Sequence, residues 1–90
     1  MEVNLTIHGP IAGQVLRLNT SVQLQEQSTL AQLLKAARPQ IGADLSAILR
    51  KGSEHPVILL CGEYLELPTA LDHPLKEGDE IVILQGIGGG

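Results

Sequence analysis

Residues 2–8 alternate between polar and apolar. Val3, Leu5 and Ile7 fall on one side, with Glu2, Asn4, Thr6 and His8 on the other, the period of a half-buried β-strand. Gly9-Pro10-Ile11-Ala12-Gly13 interrupts the pattern with turn residues. Alternation resumes with Leu16, Leu18, Val22 and Leu24 opposite Arg17, Asn19, Ser21 and Gln23. Two such runs around a short Gly/Pro segment predict an antiparallel hairpin. The period changes after Gln27. Leu30, Leu33, Leu34 and Ala37 lie at i, i+3, i+4 and i+7, the apolar stripe of a helix resting on a sheet. Thr29 and Gln32 have the spacing of a capping box. Pro39 is expected to stop the helix, because the residue before a proline, Arg38, is pushed out of the helical region.

Leu45, Ile48 and Leu49 predict a second short helix inside a longer connection, with Gly52 as its stop. Val57-Ile58-Leu59-Leu60-Cys61 is an unbroken apolar run and reads as a strand covered on both faces. Gly62-Glu63 turns the chain into a short strand around Tyr64-Leu65. Pro68 and Pro74 mark a connection, Gly78-Asp79 a turn, and Ile81-Val82-Ile83-Leu84 the last strand. The order is strand, strand, helix, strand, short strand, strand. A helical crossover after a hairpin can bring a later strand parallel to the first. The expected class is α+β: a β-grasp mixed sheet on one main helix, spanning residues 1–85, with a flexible glycine tail at 86–90.

Ninety residues with 43% apolar content make one folded domain without a catalytic lobe. No apolar run approaches the roughly 20 residues that cross a bilayer. The first residues lack the basic and apolar segments of a signal peptide, and one cysteine permits no internal disulfide. A cytoplasmic protein without a membrane partner is the expectation. Net charge is −4 and Tyr64 is the only aromatic residue. That is the wrong sign for a phosphate backbone, and it leaves no stacking platform for bases. The charge is unevenly placed: residues 63–90 carry −5 and residues 1–62 carry +1. The acidic third faces either a basic partner or solvent.

Catalytic chemistry is sparse. His8, His55 and His73 are scattered, no HxH or HExxH spacing occurs, and Cys61 has no CxxC partner. No metal and no catalytic residue is therefore expected, and the histidines read as exposed polar groups. Cys61 reads most simply as a small buried apolar group at a strand end rather than a reactive thiol. Gly86-Ile87-Gly88-Gly89-Gly90 is followed by no helix and is not a phosphate loop. A backbone without Cβ atoms can enter a channel too narrow for side chains and deliver the Gly90 carboxylate. The residues alone leave that reading and an inert tail equally open.

The ending Leu75-Lys76-Glu77-Gly78-Asp79-Glu80-Ile81-Val82-Ile83-Leu84, followed by Ile87-Gly88-Gly89-Gly90, resembles the ubiquitin-like sulfur carriers. That family reads "L-x-D/E-G-D-E-V/I-x-I/F", a short spacer, an apolar residue, a small residue and Gly-Gly. Leu60-Cys61-Gly62-Glu63-Tyr64 resembles the family's "V-N-G" turn with cysteine for asparagine. Thr29-Leu30-Ala31-Gln32-Leu33-Leu34 matches its helix start. Within the family the chain looks most like the small subunit of molybdopterin synthase, whose longer connection matches residues 40–56; the thiamine-pathway carrier is the nearest alternative. Gln85-Gly86, where the family often has prolines, and the third glycine at Gly88 are departures.

The resemblance implies a carrier with no catalysis of its own and no permanently bound cofactor. An activating enzyme using ATP and Mg²⁺ would adenylate Gly90. A sulfurtransferase persulfide would then lead to a thiocarboxylate. The tail would thread into the large synthase subunit, with Gly89 permitting entry and Ile87 and Gly88 guiding it. Tyr64, Leu65 and Leu67 are candidates for docking through the exposed sheet face, with membership of the core as the alternative for each. Acids from Glu77 to Glu80 could steer a basic partner, or Asp79 could form the turn. The rivals are a protein modifier that ends on a target lysine, and an interaction module whose tail is never activated.

Overall fold

The structure is a computed structural model that describes residues 1–86. Five strands form one mixed sheet in the order β2-β1-β5-β3-β4. They are β1 (Glu2–Ile11), β2 (Gln14–Gln23), β3 (Val57–Leu60), β4 (Glu63–Leu65) and β5 (Glu80–Leu84). β5 lies parallel to β1, and the other pairings are antiparallel. This is the β-grasp arrangement anticipated from the pattern. Helices α1 (Leu30–Ala36), α2 (Arg38–Ile41) and α3 (Leu45–Lys51) and a 3₁₀ turn at Thr69–Asp72 cover one face.

The period-2 residues of β1 do what their spacing requires. Val3, Leu5 and Ile7 are buried together with Ile58, Ile81 and Ile83 under Leu30, Leu33, Leu34 and Ala37. The hairpin is tighter than anticipated. β1 runs through Gly9 and Pro10 to Ile11, and only Ala12 and Gly13 turn the chain, with φ of 58° and 78°. Two positive φ values give the primed two-residue turn whose twist matches its strands. The Glu54 carboxylate accepts from Ala12 N–H at 2.9 Å, and Gln14 Nε2 donates to the Ile41 carbonyl at 3.1 Å. These bonds hold the 40–56 connection against the hairpin.

The Thr29 capping box is present: Thr29 Oγ1 accepts from Gln32 N–H, and Gln32 Oε1 accepts from Thr29 N–H at 2.8 Å. The stop differs from the expectation. α1 ends at Ala36, but Arg38 and Pro39 begin a further helical turn, α2. A proline is tolerated there because a helix's first N–H groups have no partner inside it. The helix expected around Leu45 is α3, ended by Gly52 in the left-handed region. At its start Asp44 accepts from Ser46 Oγ and Ala47 N–H, which holds its carboxyl below the ordinary value.

Two further expectations need correction. β3 is covered on one face only: Ile58 is buried, while Val57 is 42% exposed. Cys61 is exposed, in a turn with φ of 49°, because the strand ends one residue before it. Among the described residues no helix is long and apolar enough to cross a membrane. Thr29→Ala, which removes one side of the capping box, is expected to lower stability by about 1 kcal/mol. The urea midpoint should fall with an unchanged slope.

Candidate functional site

The registers place residues on the face away from the helices in rows. One row runs Arg17, His8, Leu84, Val57; the next runs Asn19, Thr6, Val82, Leu59, Tyr64; a third runs Ser21, Asn4, Glu80. The β1–β2 half is polar and tied to itself, with Asn19 Nδ2 donating to Thr6 Oγ1 at 2.9 Å. The half built on β5, β3 and β4 is apolar. Val82 and Leu59 are half-buried in its middle, while Tyr64 and Leu84 are 62% and 38% exposed. The described residues of the helical layer lie on the other face, so these side chains form a continuous uncovered patch.

The central strand β5 ends beside this patch. Leu84 closes the strand, and Gln85 N–H donates to the His8 carbonyl at 2.9 Å. A cleft of about 300 Å³ opens at this point, lined by His8, Val15, Arg17, Leu84 and Gly86. Its apolar wall is Val15 and Leu84, and Arg17 gives it a positive rim. Ile87, Gly88, Gly89 and Gly90, the expected threading and sulfur-bearing residues, lie outside the described residues.

Of the three docking candidates, Tyr64 stands on the open face. Leu65 pairs with buried Ile58 and packs against the core, so it points to the helix side. Leu67 also packs against the core and borders α3 beside Leu49 and Arg50. Neither belongs to the open sheet face, because the alternation that turns Tyr64 outward turns Leu65 inward. Val57, Leu59, Val82 and Leu84 share the open face with Tyr64 and were not among the candidates. Their signal was present: β3 and β5 are apolar at consecutive positions, yet one helical layer covers one face only.

The acidic segment divides by role. Asp79 is buried; its Oδ2 accepts from Lys76 N–H at 2.8 Å and its Oδ1 lies 3.5 Å from the Cys61 thiol. Glu77 accepts from Glu2 N–H at 2.9 Å. Both carboxylates hold turns, and in this segment Glu80 alone stands on the open face. His8 and His55 are exposed and His73 half-buried. Among the described residues no three His, Cys, Asp or Glu side chains group as metal ligands.

A model of the ThiS family matches residues 11–90. The fold resembles the crystal structure of SAMP1 from Haloferax volcanii, with a TM-score of 0.67, 18% identity and full coverage of both chains. It also resembles a chain in the complex of subunits 1 and 2 of molybdopterin-converting factor from Helicobacter pylori. There the TM-score is 0.52 and identity 25%, again over the whole of both chains. No curated protein sequence matches the chain.

Asp79→Ala is expected to destabilise by about 1–3 kcal/mol, because it strips the acceptor from a partly buried N–H. Urea unfolding reads the loss. Glu80→Ala, which removes no such contact, should stay within about 0.5 kcal/mol of wild type.

Proposed function

The chain belongs to the ThiS family of ubiquitin-like sulfur carriers, and on that premise we propose that it carries sulfur on Gly90 as the small subunit of a molybdopterin synthase. One observation carries the reading. The central strand ends beside the uncovered apolar patch, and the sequence beyond it finishes in Gly89-Gly90. A partner that docks on the patch would therefore receive the terminal carboxylate near its own surface. The molybdopterin branch is supported by the likeness to the Helicobacter pylori chain, which is held in a two-subunit complex.

The chemistry follows from the carboxylate being a poor electrophile. In an activating enzyme, with ATP and Mg²⁺, a Gly90 carboxylate oxygen attacks the α-phosphorus and pyrophosphate leaves. The acyl-adenylate now has AMP as leaving group. The terminal sulfur of a sulfurtransferase persulfide displaces it, forming an acyl disulfide. A second thiol cleaves the S–S bond, being oxidised as the carrier gains its thiocarboxylate. The sulfur is then offered inside the large synthase subunit, which holds the acceptor. Gly88 and Gly89 give the tail a profile without side chains, and Ile87 supplies one apolar contact to guide it. Catalytic side chains belong to the partners.

Docking is assigned to Val57, Leu59, Tyr64, Val82 and Leu84. The half-buried Val82 and Leu59 form the centre, where desolvation is most complete, and Tyr64 is the aromatic anchor. Glu80 beside them favours a basic group on the partner.

Deletion of Gly90 should abolish sulfur loading and leave thermal unfolding unchanged. Loading is read by intact mass, as one oxygen replaced by one sulfur after incubation with activating enzyme, ATP and persulfide. Equal loss of folding would sink the carrier reading. Leu59→Asp should weaken capture by the large subunit at least about tenfold, as expected for a central contact, with the circular dichroism spectrum retained. If loaded protein supplies sulfur to a thiazole-forming system instead of a pterin precursor, the acceptor is that of the thiamine branch. Covalent adducts on target lysines would point to a modifier.

A further inference from the structure

Strand β1 is paired on both sides, and β2 on one only. The Met1 carbonyl accepts from Leu24 N–H at 2.8 Å, while Asn4 N–H donates to the Asp79 carbonyl at 2.9 Å. Odd-numbered residues of β1 therefore serve β2, and even-numbered ones serve β5. Each odd residue of β1 faces an even residue of β2, from Val3 with Val22 to Ile11 with Gln14. The backbone groups of Val15, Arg17, Asn19, Ser21 and Gln23 thus point away from the sheet. All five residues are exposed, and among the described residues no backbone group bonds to their outward N–H and C=O. The Ser21 carbonyl alone has a side-chain donor, Thr20 Oγ1 at 3.4 Å.

The two edges of the sheet are built differently. β4 has three residues, with Glu63 at its start and Glu66 just beyond its end. Short length and charge are devices that keep an edge from pairing. β2 has ten residues in unbroken register, without proline, lysine or acid, and Arg17 is its one charge. On its helix side Leu18 and Val22 are only half-buried. An occupant must therefore be extended, cover Leu18 and Val22, and bring no cation opposite Arg17.

The strand itself meets these terms. In an antiparallel pairing about a two-fold axis at Asn19, Val15 faces Gln23, Arg17 faces Ser21, and Asn19 faces its own copy. All five outward residues then find partners. On the helix side Leu16 meets Val22 and Leu18 meets Thr20, the close non-hydrogen-bonded pairs of such a ladder. The two Arg17 positions lie four residues apart along the seam. At 3.4 Å per residue that is about 14 Å, beyond a Debye length of about 10 Å.

We propose that β2 is a homodimer edge: two copies pair through Gln14–Gln23 with Asn19 on the axis, making one continuous sheet. The pairing is isologous and closes on itself. It consumes both long edges and leaves the two short, acid-flanked β4 edges outside. The apolar patch on β5, β3 and β4 lies on the other half of each sheet, so the dimer leaves both patches free. The inference stands without the carrier reading.

The test is sedimentation equilibrium of the full-length chain, up to about 1 mM so that weak association is captured. A reducing agent is present so that Cys61 cannot cross-link copies. Mass should rise toward that of two chains and no further. The amides of Val15, Arg17, Ser21 and Gln23 should exchange more slowly as concentration rises. Asn19→Pro removes an outward N–H in each copy, hence two bonds at the axis, and should raise the dissociation constant at least about tenfold. Asn19→Lys leaves the backbone intact and sets two like charges face to face. It should weaken the dimer about fivefold, and added salt should restore part of the loss. A chain that stays monomeric throughout overturns the inference. So does a dimer that Asn19→Lys leaves unchanged, or one that Leu59→Asp abolishes, since its seam would be the apolar patch. Growth beyond two chains overturns the closed pairing.

Discussion

The parallel pairing of β5 with β1 is the constraint on which the rest depends. It joins the two ends of the described chain, with Asn4 beside Glu80 and His8 beside Leu84. A parallel neighbour cannot be reached by a tight turn, so everything between the hairpin and β5 has to travel across the sheet and back. α1, α2 and α3 are that journey, and they bury the inner side of the strands they cross. Because β5 becomes the central strand, the chain leaves the sheet from its middle.

The second consequence is an imbalance of cover. β3 and β5 present apolar residues on both faces, but the helices reach one. Leu59, Val82, Val57, Leu84 and Tyr64 remain toward water, where each is less favourable than inside a core. A chain that has turned Asn4, Thr6, Asn19 and Ser21 outward on the neighbouring strands has polar residues at its disposal. The apolar half of the face is therefore best understood by what it meets, and it borders the place where β5 ends.

The turns around β5 show how few groups hold this geometry. Asp79 satisfies the backbone of its own turn and touches the turn of the β3–β4 hairpin through Cys61. Glu77 reaches across to the start of β1. A negative C-terminal third thus has structural duties at two of its acids, which charge counting by itself treats as equivalent to the others. At the opposite end of β5, the Gln85 carbonyl is seated against Gly9, where a Cβ would collide with it.

Much was legible along the chain. The alternation of Val3, Leu5 and Ile7, the stripe of Leu30, Leu33, Leu34 and Ala37, and the Thr29–Gln32 cap are local patterns, and local periodicity decides which face of an element is apolar. The glycine ending and the segment before it pointed to the family. Other features were beyond local reading. Whether Leu59 and Val82 are covered depends on how many helical layers the sheet receives. Whether Leu65 faces in or out depends on its register against Ile58, and Arg38–Ile41 forms a helical turn despite Pro39 because the path to α3 requires one. Cys61 lies outside the strand because it opens the turn into β4 at a positive φ, although its N–H still donates to the Glu80 carbonyl. The sequence by itself determined most of the elements, their inner faces and the glycine-rich ending. Only the tertiary structure decided which outer face stays bare and where the chain departs from it, because both depend on contacts between residues far apart in the chain.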